Sequence, residues 1–195
     1  MIKLLARIIL KIAGWSAINE PDPAIRRSVV LAVPHTSNWD YLYAMCFGKS
    51  LNLDFKVAIK HYWTRFPFSI IIKPLGGLGI KRGKERDEKV SQVDMMAELF
   101  QTRDQLALII APEGSRKLHK RWKAGYYHVA HNAQVPLLPV FLDYTKKELT
   151  FGAPIDSSGT RDEVMGKVMD YYNSIDGNGK YPEKFSLDER FLPQE

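Results

Sequence analysis

Apolar residues recur along this chain in blocks whose spacing changes from segment to segment. Ser28–Val33 and Leu106–Ile110 are short and almost wholly apolar, as strands covered on both faces must be. Val135–Leu142 is a third such strand, with Pro136 and Pro139 restricting its opening. Leu53–Ile59 alternates apolar and polar until its end and reads as a strand, and Lys147–Phe151 reads as an edge strand. Between these lie helical patterns: Tyr41–Phe47, ending at Gly48; Arg86–Arg103, with Val90, Val93, Met96, Ala97 and Phe100 at helical spacing; Trp122–Gln134; and Arg161–Tyr172. His61–Lys73 gathers Tyr62, Trp63, Phe66 and Phe68 with Ile70, Ile71 and Ile72 around Pro67. It reads as a broken helix whose apolar side is core, or the wall of a groove for an apolar chain. Residues 176–195 read as a polar tail bearing glycine and proline. Helices alternating with buried strands predict one α/β domain with a mostly parallel central sheet flanked by helices.

The first fifteen residues follow another pattern. Lys3, Arg7 and Lys11 recur every fourth position, a narrow basic stripe on an otherwise apolar helix that ends near Gly14-Trp15. Cations within the apolar stretch argue against a signal peptide, and no stretch reaches the ~18 apolar residues needed to span a bilayer. The helix either packs on the core with its lysines snorkelling, or lies on anionic lipid with Trp15 at headgroup level. The width of the apolar face favours the second, so residues 1–18 are expected to form an amphipathic membrane-association helix and 25–195 the catalytic domain. The expected location is the cytoplasmic face of a membrane, peripherally.

Charge narrows the partners. Among 195 residues, 28 Lys and Arg stand against 22 Asp and Glu, a net charge of +6. That excess favours phosphate-bearing substrates, an anionic membrane surface or nucleic acid. The cations are dispersed and accompany no base-reading module, which disfavours nucleic acid. The single cysteine, Cys46, excludes an intrachain disulfide and sits in an apolar helix as an inert thiol. His128 and His131 lie one turn apart without a further ligand cluster, so no metal site is expected.

The candidate chemistry centres on Pro34-His35-Thr36-Ser37-Asn38-Trp39-Asp40, between the first long strand and its helix. On an unbroken helix His35 and Asp40 would point roughly 140° apart. If the helix begins at Ser37, His35 can fold back over the first turn and meet Asp40; Ser37 and Asp40 form a capping-box-like pair that marks such a break. A carboxylate on one imidazole nitrogen would leave the other free to take a proton. Asp40 could equally be a cap and nothing more. Ala111-Pro112-Glu113-Gly114-Ser115-Arg116-Lys117 follows the second apolar strand, where α/β sheets bind ligands. Gly76–Lys84 sets glycines beside Lys81, Arg82 and Lys84, either a phosphate approach or a tight turn with solvated cations.

Four ordered segments resemble blocks of the glycerolipid acyltransferases, the PlsC-like lysophospholipid acyltransferases. They are His35–Asp40, Gly77–Arg82, Pro112–Arg116 and Val135–Val140. The resemblance implies a glycerol-3-phosphate acyltransferase-like fold. It makes His35 the general base and Asp40 its orienter. It gives Arg82, Glu113 and Arg116 the acceptor headgroup, with Gly114 and Ser115 shaping that loop. The implied donor is a thioester of acyl carrier protein or coenzyme A, serving as co-substrate with no further cofactor. The implied acceptor is a lysophospholipid, first of all lysophosphatidic acid (1-acyl-sn-glycerol-3-phosphate). Oxyanion donors are expected from backbone amides at the helix start after Ser37. Pro34, Lys81, Ala111 and Ser115 depart from the family's usual residues, leaving an amino-acid-containing lyso-lipid as the second acceptor. A hydrolase using the same dyad, or a non-catalytic anionic-lipid binder, are the competing functions.

Overall fold

The computed structural model describes residues 2–80 and 91–192. Its strands are β1 (Ser16–Ala17), β2 (Arg27–Val33), β3 (Phe55–Lys60), β4 (Gly77–Ile80), β5 (Leu106–Ile110), β6 (Leu137–Asp143) and β7 (Glu148–Phe151). Its α-helices are α1 (Ile2–Ala13), α2 (Trp39–Ser50), α3 (Ser69–Ile72), α4 (Gln92–Gln101), α5 (Gly125–Ala133) and α6 (Arg161–Asn173). The strands form one sheet in the order β1-β7-β6-β2-β5-β3-β4, parallel throughout except for the antiparallel β6–β7 pair. The α/β expectation therefore holds.

The apolar runs explain the central position of β2. Val29, Leu31 and Val33 join a core with Tyr126, Val129, Val164, Val168 and Tyr172 from α5 and α6. Val30, one residue out of phase, joins the opposite core with Ala6, Leu10, Met45 and Phe47 from α1 and α2. A strand covered on both faces has no polar phase to keep. From β2 the chain crosses through α2 to β3, and from β5 through α5 back to β6, departing in opposite directions from adjacent strands. A crevice at the carboxyl ends of β2 and β5 is the geometric consequence.

Several expectations are corrected. Lys147–Phe151 is not an edge: β1 pairs with the outer side of β7, Ser16 opposite Glu148. Part of the glycine-rich stretch is strand β4, paired with β3; only glycine fits at Gly77, where an added Cβ would lie 2.4 Å from Ile72 Cγ2 and 2.9 Å from the Ile72 carbonyl oxygen. The helix expected over 86–103 runs from Gln92, opened by a reciprocal Ser91–Asp94 capping box, and residues 86–90 lie outside the described residues. The helix expected from Trp122 begins at Gly125. Trp122 is buried instead, its amide donating to Asp188 Oδ2 at 2.9 Å and its indole to the Ser186 carbonyl at 2.9 Å. The 61–73 segment contains only a 3-10 turn and the four-residue α3, and Phe66 and Ile70 are 81% and 66% exposed rather than core.

The N-terminal helix shares features of both readings. Ala6 and Leu10, one turn apart, are buried against α2, while Leu4, Leu5, Ile8 and Ile12 face outward. Trp15 is not at the surface: it is 7% exposed and packs tilted against Tyr43 and edge-to-face against Tyr144, with ring centroids 4.8 and 4.9 Å away. No helix among the described residues is long and apolar enough to cross a membrane.

Candidate active site

Residues 34–38 leave the carboxyl end of β2 and enter α2. The Ser37 hydroxyl accepts the Trp39 amide at 3.0 Å, and α2 begins at Trp39, two residues beyond the expected start at Ser37, so the helix does not run through His35. His35 therefore folds back, and its Nδ1 lies 3.3 Å from Asp40 Oδ2. That same oxygen accepts the Thr36 and Ser37 amides, each at 2.8 Å. The other, Oδ1, accepts the Ser37 hydroxyl at 3.0 Å and the Tyr144 hydroxyl at 2.7 Å. Asp40 is thus both cap and partner to the ring.

The electrostatics follow from these donors. Burial alone would push the Asp40 carboxyl upward, but hydrogen bonds from His35, Ser37 and Tyr144 outweigh it and hold the group below its ordinary value. Burial and the neighbouring Asp40 charge push the Tyr144 phenol upward, so it stays protonated and donates. With an ionised carboxylate at Nδ1, the imidazole proton is favoured there, and Nε2 is left to accept. The ring is 30% exposed and lines a cavity of about 370 Å³. Val93, Met96, Ile110, Pro112 and Tyr126 are among its other walls.

The loop after β5 supplies the remaining candidates. Glu113 is 3% exposed, and its Oε1 accepts the His35 amide at 2.8 Å. Through that oxygen it braces the backbone of the His35 loop. Its Oε2 has no hydrogen-bond partner among the described residues. Burial dominates and pushes this carboxyl up to about 7, against the lowering effect of the His35 amide. Gly114 adopts φ +74° and so makes the turn that an L side chain resists. Ser115 shares a 2.6 Å hydrogen bond with His119 Nε2. Arg116 reaches across to donate to the Asn38 side-chain oxygen, on the residue before α2. Arg82 lies outside the described residues. The amides expected as oxyanion donors are already engaged: those of Thr36 and Ser37 by Asp40, that of Trp39 by Ser37.

So the structure brings His35, Asp40, Glu113 and Arg116 into one neighbourhood at the β2–β5 crevice. A family model described as Acyltransferase matches residues 16–143, which include all four. The chain belongs to the Acyltransferase family. Among solved structures, this acyltransferase resembles the 1-acyl-sn-glycerophosphate (LPA) acyltransferase PlsC from Thermotoga maritima. The TM-score is 0.58 at 16% identity, over 91% of this chain and 80% of that one, a likeness of fold. A search of curated proteins gives no match.

Two contacts of the His35–Asp40 loop have no signal in the sequence. Tyr144 follows β6 and reaches Asp40 from more than a hundred positions away. Thr36 accepts the Tyr181 amide at 3.3 Å, which ties the C-terminal segment to the loop. His119 lies four residues beyond Ser115 in the same irregular loop, so local spacing alone brings that pair within reach.

Proposed function

We infer that this acyltransferase moves a fatty acyl chain from a thioester, carried by acyl carrier protein or coenzyme A, to the free hydroxyl of a lysophospholipid. The first acceptor is 1-acyl-sn-glycerol-3-phosphate. The observation that carries the reading is the His35–Asp40 pair, with His35 lining a cavity whose walls include Val93, Met96, Ile110 and Tyr126, and with Arg116 bound to Asn38 three residues along the same loop. His35 Nε2 takes the acceptor's hydroxyl proton as that oxygen attacks the thioester carbonyl. The tetrahedral intermediate collapses with loss of the C–S bond, and the imidazolium returns its proton to the departing thiolate. General-base catalysis of this kind contributes about 10²–10⁴-fold, and Asp40 holds the ring and offsets its developing charge. The cavity suits the acyl chain, and the Arg116 guanidinium suits a phosphate.

The outward apolar residues of α1, with Lys3, Arg7 and Lys11 alongside, support peripheral attachment to anionic lipid. Such attachment serves a reaction whose acceptor and product both reside in a bilayer. The test is an acyl-transfer assay with purified protein, both donor types and a panel of lysophospholipids. Acylated lipid formed in proportion to thioester consumed is the expected result. Thioester consumption indifferent to acceptor would make the protein a hydrolase.

A further inference from the structure

The C-terminal segment is not a free tail. The Asn178 carbonyl accepts the Tyr144 amide at 2.8 Å, and the Asn178 amide donates to Asp143 Oδ1 at 3.3 Å. Gly179 is buried so closely against the His35 loop that a Cβ there would lie 2.8 Å from Thr36 Cγ2 and 3.0 Å from Pro34 Cγ. Tyr181 then donates its amide to Thr36. Residues 178–181 form a strap fastened to the same loop that carries His35.

Lys180 stands between two of these fastenings. Its Nζ lies 4.7 Å from the centre of the Trp39 ring, which is itself half-exposed. Trp39 follows Asn38, the residue that accepts Arg116. Two cations from distant parts of the chain thus converge on consecutive residues, three and four positions beyond His35. Among the described residues, neither Lys180 nor Arg116 is paired with a carboxylate. An exposed cation–π contact is weak enough to be exchanged for an anion. A lysine and an arginine together offer a point charge and a fork to the same phosphate.

The geometry points to Lys180 as a second binding group for the acceptor's phosphate, so that the C-terminal strap forms one wall of the acceptor site. The assignment rests on the acceptor class proposed above. It explains why the segment is held so tightly: Gly179 admits no side chain, and the fastenings on either side fix where the Lys180 backbone lies. The exchange leaves Lys180 over Trp39 in the empty site and on the phosphate when acceptor is bound.

The experiment compares wild type, Lys180→Ala, Lys180→Glu and Lys180→Arg in neutral detergent micelles, with 1-acyl-sn-glycerol-3-phosphate as acceptor and each thioester donor. Lys180→Ala should raise the acceptor KM about tenfold, the loss of one charge-assisted contact, and Lys180→Glu should raise it further. Lys180→Arg should restore most of the affinity. The donor KM and the rate at saturating acceptor should stay within about twofold, and thermal unfolding should be unchanged. An acceptor KM unaltered in Lys180→Ala and Lys180→Glu would overturn the assignment, as would an increase confined to the donor KM. If wild type acylates no phosphate-bearing lysolipid, the acceptor reading itself fails and the assignment falls with it, a result distinct from an active enzyme indifferent to Lys180.

Discussion

Replacing Glu113 by glutamine tests how the buried carboxyl loads the fold. Glu113 is 3% exposed, accepts the His35 amide through one oxygen and leaves the other unpartnered among the described residues. Its carboxyl is pushed from an ordinary 4.5 to about 7. The folded protein therefore holds this proton more tightly than the unfolded chain. The resulting stabilisation is complete below pH 4.5, declines as pH rises, and is lost above about pH 7. At 1.36 kcal/mol per pH unit, the difference amounts to about 3 kcal/mol. Glutamine keeps an acceptor for the His35 amide and does not ionise, so its stability lacks this slope. Urea unfolding followed by circular dichroism at several pH values, from 4.5 to 8, should show Glu113→Gln gaining about 3 kcal/mol relative to wild type across the range. Asp40 acts at the other end: its stabilisation is present above 3.8 and is lost only as pH falls below that value. The two effects therefore do not overlap. A stability difference that stays constant from pH 4.5 to 8 would refute the reasoning.

Tyr144→Phe removes one hydrogen bond to the Asp40 carboxylate while keeping the ring against Trp15 and Tyr43. Hydrogen bonds to charged groups are worth about 1.5–3 kcal/mol, so the turnover number should fall about tenfold or more with acceptor KM little changed. Steady-state kinetics checks this, and unchanged turnover would remove Tyr144 from the positioning of the dyad. Glutamates at Ile8 and Ile12, both outward on α1, should abolish co-sedimentation with anionic vesicles while leaving the melting temperature within a few degrees. Undiminished vesicle binding would show that α1 is not the contact.

The parts of the fold legible in the sequence are those that local chemistry specifies. β2, β5 and β6 are apolar because both faces are covered, so composition alone reveals them. The Ser37–Asp40 pattern announces the helix break that lets His35 and Asp40 meet. Elements whose identity depends on distant partners are invisible: β1 is two residues long and exists because β7 lies beside it. β4 reads as a turn because its glycines, which admit Ile72 and Thr64 closely, look like flexibility. Glu113 lies among cations and reads as a ligand group; that it is buried under the His35 loop depends on tertiary contacts no local pattern carries. Exposed Phe66 and Ile70 mislead in the opposite sense, since apolar composition does not say what covers it. Tyr144 and the 178–181 strap reach the site only through tertiary contacts.

The proposed acyl transfer to an alcohol depends on His35 as its base. Turnover of purified wild type and His35→Ala, read as both thioester consumed and acylated lysophospholipid formed, tests it most directly. Wild type should form acceptor-dependent product, and His35→Ala should lose about 10²-fold or more with the fold intact by circular dichroism. Turnover in His35→Ala within tenfold of wild type would contradict that dependence.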